Sequence, residues 1–219
     1  MINKIIWQTY ESEYDELPNK AKECVESWKS LNPSWEFKYV SKKERALFVE
    51  KHFGKEWKTI YDSYRVDVLR SDLWRYMCLY INGGLYSDLD MVCKKPIESW
   101  LKIESKFVIS SEPNVWGYTQ SIFASEPSSI FLKDLLNNIK NKYYQNVKYK
   151  NVVDYEINEV GYIIFTNSIL KTLEKNKDGV QEFLGEDSNI IHTDSIQHYR
   201  AGNGNIFGSN YKSWKTESL

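Results

Sequence analysis

Two aspartates, Asp88 and Asp90, flank Leu89 at the end of an apolar segment that begins with Gly83-Gly84. On a β-strand, alternation would place both carboxylates on one side, with alpha carbons roughly 6–7 Å apart. Neighbouring carboxylates repel each other, and a shared proton, a basic partner or a divalent cation relieves that repulsion. Oxygen ligands favour Mg²⁺ or Mn²⁺ held together with substrate phosphates, whereas His or Cys would favour zinc. The pattern predicts a divalent-cation site, with two exposed acids at a strand end as the alternative.

A third acid, Asp72, lies in a helical segment upstream of the glycine pair. Helical spacing puts it on the same face as apolar residues, among them Leu69 and Tyr76. An ionised carboxylate on a buried face needs a cation, hydrogen-bond donors or a polar ligand nearby. Arg75 and Arg65 are the candidate partners along the chain. The spacing therefore predicts either an internal ion pair that stabilises the helix or an acid that contacts a ligand.

Strand-like and helix-like patterns alternate along the chain and predict an α/β fold in a single domain over residues 1–219. The expected strands are Lys4–Gln8, Trp35–Val40, Leu85–Val92, Lys106–Ser111 and Ile190-Ile191. The expected helices run from Pro18 to Leu31, from a Ser41/Glu44 capping box towards Phe53, from Trp57 to Ile81, from near Pro127, and over Gly161–Leu173, with a loop over 199–208. Ligands of α/β sheets gather beyond the carboxyl ends of strands, so Asp88 and Asp90 stand where a site is expected.

The composition excludes several classes of protein. The 219 residues carry 29 Lys and Arg against 30 Asp and Glu, a net charge of −1 that gives no reason to expect a nucleic-acid partner. The segment Met1–Trp7 lacks a signal-peptide core and no apolar run is long enough to span a bilayer, so any membrane contact is expected to be peripheral. The odd number of cysteines, three, favours reduced thiols and hence a cytoplasmic location. Aromatic residues make up 15% of the chain, as core filler or as surfaces for sugar stacking.

Several segments resemble a known family. Ser71–Tyr76 and Leu79–Asp90 closely resemble the D-x-D region of sugar-nucleotide glycosyltransferases of the Och1-like, capsular-polysaccharide type, family 32, and more distantly the glucosyltransferase domain of large clostridial toxins. The opening Lys4–Tyr10 resembles the first strand of that family, and His198 with Ser213-Trp214 resembles its C-terminal segment. The resemblance implies a GT-A-like fold with a mostly parallel central sheet flanked by helices. It also implies a nucleoside-diphosphate-sugar donor, Mn²⁺ or Mg²⁺, and retention of anomeric configuration.

The resemblance also implies roles for particular residues. Asp90 would bind the metal directly, and Asp88 would hold the ribose and the metal's water shell. Asp72 and Arg75 would contact hydroxyls of the donor sugar, with Arg75 near the diphosphate. Further donor contacts are expected from Tyr10, Gly83, Gly84, His198, Ser213 and Trp214. Asn210 and Ser213 are further candidates for metal contacts. Tyr10 stands where relatives often carry a Trp that stacks on the base.

The expected reaction moves a hexose from a UDP-sugar, favoured over GDP-mannose, to a hydroxyl of a glycan, a lipid-linked glycan or a protein. Front-face transfer is the expected mechanism, since no further acid stands out as a covalent nucleophile. A lectin-like module without transfer activity is the alternative. A glycoside hydrolase is disfavoured because adjacent acids rarely flank both faces of a sugar. A haloacid-dehalogenase-type phosphatase is disfavoured because no paired-acid motif follows Asp88–Val92.

Overall fold

The computed structural model describes residues 1–111 and 117–198. The strands are β1 (Ile5–Tyr10), β2 (Glu36–Ser41), β3 (Gly84–Ser87), β4 (Met91–Cys93), β5 (Phe107–Ser110), β6 (Ile122–Ser125), β7 (Val180–Phe183) and β8 (Ile196–His198). The helices are α1 (Asn19–Leu31), α2 (Lys42–Ser63), α3 (Asp67–Asn82), α4 (Ile130–Gln145), α5 (Val152–Glu159) and α6 (Tyr162–Leu173). The chain is thus α/β, as the alternating pattern predicts.

The central sheet is mostly parallel. Within the described residues it has six strands in the order β2-β1-β3-β6-β5-β7. β1 pairs in parallel with β2 and β3, β5 pairs in parallel with β7, and β6 runs antiparallel to both of its neighbours. The carboxyl ends of β1, β2 and β3 therefore meet at one edge, where the segments that follow them can form a site.

Alternation along the strands divides the core between the two faces of this sheet. In β1, Ile6 belongs to one buried cluster and Trp7 to the other, and in β3 Leu85 and Tyr86 divide in the same way. The cluster that contains Trp7 and Tyr86 includes residues of α2 to α6, and the opposite cluster includes Trp28 of α1. Of the six tryptophans within the described ranges, five are buried. The aromatic residues thus act mainly as core filler.

Local signals place several element boundaries correctly. The backbone N–H of Ser41 donates to Glu44 Oε2 at 2.8 Å, which confirms the capping box at the start of α2. The helix before the glycine pair ends where expected, because the Gly83 N–H bonds to Leu79 O at 2.8 Å with Gly83 at φ 64°. The three cysteines are free and buried, as the helical patterns around Cys24 and Cys78 indicate.

Other boundaries differ from the prediction. The helix expected over 57–81 is two helices, because Tyr64 and Val66 adopt extended backbone angles and bury their side chains between α2 and α3. The segment Ile190-Ile191 is not a strand, since it opens a π-helical segment, Ile190–Ser195, that leads into β8. The sequence pattern does not predict β6, β7 or α5. Short buried segments of four residues, such as β6 and β7, give little periodicity to detect.

Candidate active site

The strand expected over Leu85–Val92 is interrupted at the two aspartates. β3 ends at Ser87, residues 88–90 form a turn, and Met91 begins β4 in a separate two-stranded sheet with β8. Strand alternation is therefore the wrong reason for the two acids to converge. Leu89 packs into the buried cluster beside α1 and contributes to the base of an open cavity that Asp88 and Asp90 also line. The turn brings both carboxylates to the same cavity by anchoring the residue between them.

Backbone contacts hold this turn in place. The N–H of Asp88 bonds to Ser121 O at 2.8 Å, and the N–H of Met91 bonds to Asp88 O at 3.2 Å. From β1, the buried Gln8 donates through Nε2 to Asp88 O at 3.1 Å. The position of Asp88 is thus set by β1 and by the segment before β6 as well as by its own turn.

The cavity has a volume of about 160 Å³ and lies at the carboxyl ends of β1 and β3. The segment after β1, α2, α3 and the Asp88–Asp90 turn contribute its walls. Its lining residues are Thr9, Tyr10, Glu11, Arg45, Val68, Ser71, Arg75, Tyr86, Asp88, Leu89 and Asp90. The cavity thus combines arginines and carboxylates at the edge of the sheet where a ligand is expected.

Arg75 of helix α3 connects that helix to the Asp88–Asp90 turn. Its Nη2 lies 2.6 Å from Asp72 Oδ1, and its Nη1 lies 3.3 Å from Asp88 Oδ1. Nη1 also donates to Gln120 O at 3.0 Å, and the guanidinium lies 4.5 Å from the centre of the Tyr86 ring. A buried arginine between two aspartates places a fixed positive charge beside the cavity, where it can act on an anionic ligand.

Within the described residues, the side-chain contacts of Asp88 fall on one of its two oxygens. The Tyr86 hydroxyl donates to Oδ1 at 2.7 Å, and the Arg75 contact also falls on Oδ1, so neither contact occupies Oδ2. Burial raises the pKa of Asp88 to about 6; the attraction of Arg75 opposes this increase and repulsion from Asp90 adds to it. A cation bound between Asp88 and Asp90 would relieve that repulsion and favour the ionised form.

Asp72 points inward, as its helical spacing predicts, and its side chain is 1% exposed. Its partner is Arg75 at i+3, one of the two candidates. Asp72 is not among the residues that line the cavity, and it accepts a hydrogen bond from Gln120 Nε2 at 3.1 Å. Burial raises its pKa, with Arg75 opposing the increase. The contact of Asp72 with a donor sugar stays a prediction.

Two neighbours of Asp72 were not predicted from the sequence, the half-buried Gln120 and the buried Glu156. Gln120, before β6, donates through Nε2 to Asp72 and also to Glu156 Oε1 at 3.4 Å. Glu156 of α5 is buried, and burial together with repulsion from Asp72 raises its pKa to about 9. Buried Val152 and Val160 lie four residues to either side of Glu156, so the helical-face spacing that identified Asp72 would have identified this acid as well.

The structure brings some predicted site residues together and separates others. Tyr10, Arg75, Asp88 and Asp90 line the cavity. Gly83 and Gly84 lie at the opposite end of β3, outside it. There the Gly84 backbone, at φ 105°, passes so close to β1 that an added Cβ would lie 2.5 Å from Ile5 O. A packing requirement therefore accounts for Gly84.

Only one of the predicted C-terminal site residues lies within the described part of the chain. In the β4–β8 pair His198 lies opposite Met91, next to Asp90 in the chain, so the backbone brings His198 to the acidic turn. Asn210, Ser213 and Trp214 lie outside the described residues. Within residues 1–111 and 117–198, no group of three His, Cys, Asp or Glu side chains is arranged to hold a metal ion. No helix in those ranges is both long and apolar enough to cross a membrane.

Solved structures with the same fold are glycosyltransferases. The PaToxG glycosyltransferase superposes with a TM-score of 0.60 at 15% identity, covering 79% of this chain and 70% of its own. The UDP-bound glycosyltransferase domain of the YGT toxin superposes with a TM-score of 0.56 at 9% identity, covering 83% and 79%. At these identities the likeness concerns the fold alone, which is that of the GT-A-like glycosyltransferases.

Comparison with known sequences indicates which type of glycosyltransferase the chain resembles. Residues 18–107 match the glycosyltransferase sugar-binding region containing the DXD motif. An uncharacterized glycosyltransferase of Acanthamoeba polyphaga mimivirus is 25% identical over 220 residues, 98% of this chain and 84% of its own length. The initiation-specific alpha-1,6-mannosyltransferase of Candida albicans is 30% identical over 103 residues, and inositol phosphoceramide mannosyltransferase 3 of Schizosaccharomyces pombe is 32% identical over 126. Sequence and fold together identify the chain as a glycosyltransferase, and the match of residues 18–107 to the DXD region confirms the resemblance seen in the sequence.

The alignments with the fungal enzymes cover only part of those proteins. The chain spans 26% of the Candida enzyme and 34% of the Schizosaccharomyces enzyme, but 84% of the viral relative. The particular sugars and acceptors named for the fungal enzymes therefore belong to proteins with additional sequence.

Proposed function

We propose that this glycosyltransferase transfers a hexose, with divalent-cation assistance and retention of anomeric configuration, from a nucleoside-diphosphate sugar to a hydroxyl acceptor. The proposed acceptor is a glycan, a lipid-linked glycan or a protein. The observation that carries the proposal is the position of Arg75, which joins Asp88 to the buried Asp72 at the wall of a cavity that Asp90 also lines. This arrangement combines carboxylates for a cation with a fixed cation for a leaving diphosphate.

The carboxylates suit Mn²⁺ or Mg²⁺. Asp88 and Asp90 offer hard oxygen ligands at one cavity, and the contacts that Asp88 makes with Tyr86 and Arg75 leave its Oδ2 for a cation. Two carboxylates are too few for a closed protein site, which agrees with a cation that takes its remaining ligands from substrate phosphates and water. When bound, such a cation would neutralise charge on the diphosphate. Asn210 and Ser213 stay predictions as additional contacts.

The residues of the chain support a specific order of bond changes. The bond between the anomeric carbon and the diphosphate oxygen breaks, and negative charge develops on the leaving diphosphate beside Arg75. The acceptor oxygen bonds to the anomeric carbon from the same face, and its proton passes to the leaving diphosphate oxygen. Glu11 also lines the cavity, so a glycosyl–enzyme adduct trapped on Glu11, Asp88 or Asp90 would contradict this mechanism.

Two groups of similar proteins favour different nucleotide-sugar donors. The resemblance to toxin glycosyltransferases, one of which was solved with UDP bound, favours a UDP-sugar. The fungal relatives are named mannosyltransferases, which makes GDP-mannose the second candidate donor. A cytoplasmic location also stays a proposal, supported by three free and buried thiols.

A screen of nucleotide sugars for cation-dependent hydrolysis tests the proposed function without a known acceptor. We expect release of UDP or GDP from one donor with Mn²⁺ and none with a chelator present. Asp90→Asn should abolish the release, whereas the matched control Asp178→Asn, at an exposed ion pair with Lys106, should not. Nucleoside diphosphate with Mn²⁺ at a hundredfold excess over Kd should stabilise the wild type by about 2.7 kcal/mol. A lectin-like module would instead bind glycan with neither cation nor nucleotide, and that result would contradict the proposal.

A further inference from the structure

Arg45 is a cavity residue that the sequence patterns do not single out. It lies in the first turn of α2 and is 1% exposed, and four residues later Val49 is fully buried on the same helical face. Although buried, Arg45 contributes to the wall of the cavity that contains Asp88 and Asp90. An arginine of the first turn thus reaches inward to the candidate active site.

The guanidinium of Arg45 lacks partners for two of its nitrogens. Nε and Nη2 are buried and form no hydrogen bond of good geometry within the described parts of the chain, although the Tyr61 hydroxyl, which also lacks such a bond, lies beside the guanidinium. The nearby arginines differ, since Arg75 forms ion pairs with Asp72 and Asp88, and Arg70 forms one with Asp67. No such ion pair is found for Arg45 among residues 1–111 and 117–198. Burying a charge in this state is unfavourable, so the folded chain keeps an unsatisfied cation at the cavity.

We propose that Arg45 binds the diphosphate of the donor, from a wall of the cavity other than the one that holds Asp88 and Asp90. Asp72 acts on Arg45 only at longer range than an ion pair, and a diphosphate would supply negative charge at hydrogen-bonding distance. The planar fork of a guanidinium matches phosphate oxygens and forms charge-assisted hydrogen bonds to them. α2 follows β2, which lies two strands from β3 in the sheet, so Arg45 and the acidic turn approach the cavity from separate elements. This inference rests on the proposed function, because it assumes a nucleoside-diphosphate donor.

Binding of two probes to the full chain tests this role. Calorimetry with Mn²⁺ present would measure the affinity for inorganic pyrophosphate and for UDP or GDP. Arg45→Met should weaken both by the same factor, roughly 10- to 100-fold, because both carry the diphosphate. Lys43→Met removes a positive charge from an exposed position in the same turn and should leave both affinities unchanged. Arg45→Lys, which keeps the charge but loses the fork, should fall between wild type and Arg45→Met.

The possible outcomes separate this inference from the proposed function. Unchanged pyrophosphate affinity in Arg45→Met, with weaker nucleotide binding, would assign Arg45 to the base or ribose and overturn the inference alone. Unchanged affinity for both probes would also overturn it alone. A wild type that binds neither probe would contradict the proposed function and this inference together.

Stability without ligand gives an independent readout. Removing a buried cation that lacks partners should leave the melting temperature of Arg45→Met equal to that of the wild type or higher. A purely structural arginine would give the opposite result. A marked loss of melting temperature, or failure of Arg45→Met to fold, would therefore contradict the inference.

Discussion

Arg75 and Asp72 form an ion pair inside helix α3, with Nη2 2.6 Å from Oδ1 and with side chains that are 6% and 1% exposed. The same helix carries a second pair of the same residue types at the same spacing, Asp67 and Arg70, at 3.0 Å with side chains 23% and 21% exposed. Each pair has one further ionic partner, Asp88 for Arg75 and Lys42 for Asp67, so burial is the main difference between them and the helix offers a comparison of what burial does to an ion pair.

Breaking the buried pair should destabilise the protein far more than breaking the outer pair. Asp72→Asn or Arg75→Met leaves a buried charge without its partner and should lower the free energy of unfolding by about 3–5 kcal/mol. Asp67→Asn should lower it by no more than about 1 kcal/mol, because water screens that pair. Urea denaturation measures both, and equal small losses would show that the inner pair has little effect on stability.

Glu156 should make stability depend on pH. Burial raises its pKa from the usual 4.5 to about 9, so between these values the folded chain keeps a proton that the unfolded chain releases. Its contribution to stability is therefore complete below about pH 4.5 and is lost as the pH rises towards 9. Glu156→Gln removes this titration while keeping a similar shape.

Melting temperatures measured from pH 5 to pH 8.5 would test this expectation. The melting temperature of Glu156→Gln should fall less steeply with rising pH than that of the wild type. Glu50→Gln, at an exposed position in α2, should keep the wild-type slope. If the wild type and Glu156→Gln have identical slopes, Glu156 is ionised in the folded protein and its pKa is not raised.

Gly84 should tolerate no side chain, for reasons of packing. Alanine there would need a positive φ and would bring its Cβ to 2.5 Å from Ile5 O, so we expect Gly84→Ala to lose about 3 kcal/mol or more of stability. Gly54 has a φ of 75° but no heavy atom within 4 Å of an added Cβ, so Gly54→Ala should lose only about 1 kcal/mol. Chemical denaturation of both variants tests this, and equal losses would rule out the predicted clash with β1.

The Tyr86 hydroxyl should strengthen cation binding at the proposed site, because it orients Asp88. Tyr86→Phe removes the 2.7 Å hydrogen bond to Asp88 Oδ1 but keeps the ring beside Arg75. Partners that orient a metal ligand affect affinity strongly, so Mn²⁺ binding with nucleoside diphosphate present should weaken roughly tenfold. Tyr118→Phe removes a comparable bond to Glu182 away from the cavity and serves as the control in a Mn²⁺ titration followed by electron paramagnetic resonance. Equal Mn²⁺ affinities in the two variants would remove Tyr86 from the site.

Local patterns in the sequence are sufficient for much of the fold. The strand–helix alternation, the Ser41/Glu44 capping box and the helix end at Gly83 depend on neighbours within a few residues, and the structure confirms each of them. The inward face of Asp72 is also local, because helical periodicity alone sets which residues share a face.

Tertiary structure decided how the site residues meet. Sequence periodicity continues β3 through Asp88, but the strand ends because its pairing with β6 stops at Ser87 and Leu89 packs against α1. Asp72 interacts with Gln120, 48 positions away along the chain, and with Glu156 in the more distant helix α5, and Arg45 reaches the cavity from a fourth element. A sequence displays which side chains are acidic, basic or buried, whereas their convergence depends on the packing of distant elements, which no local period encodes.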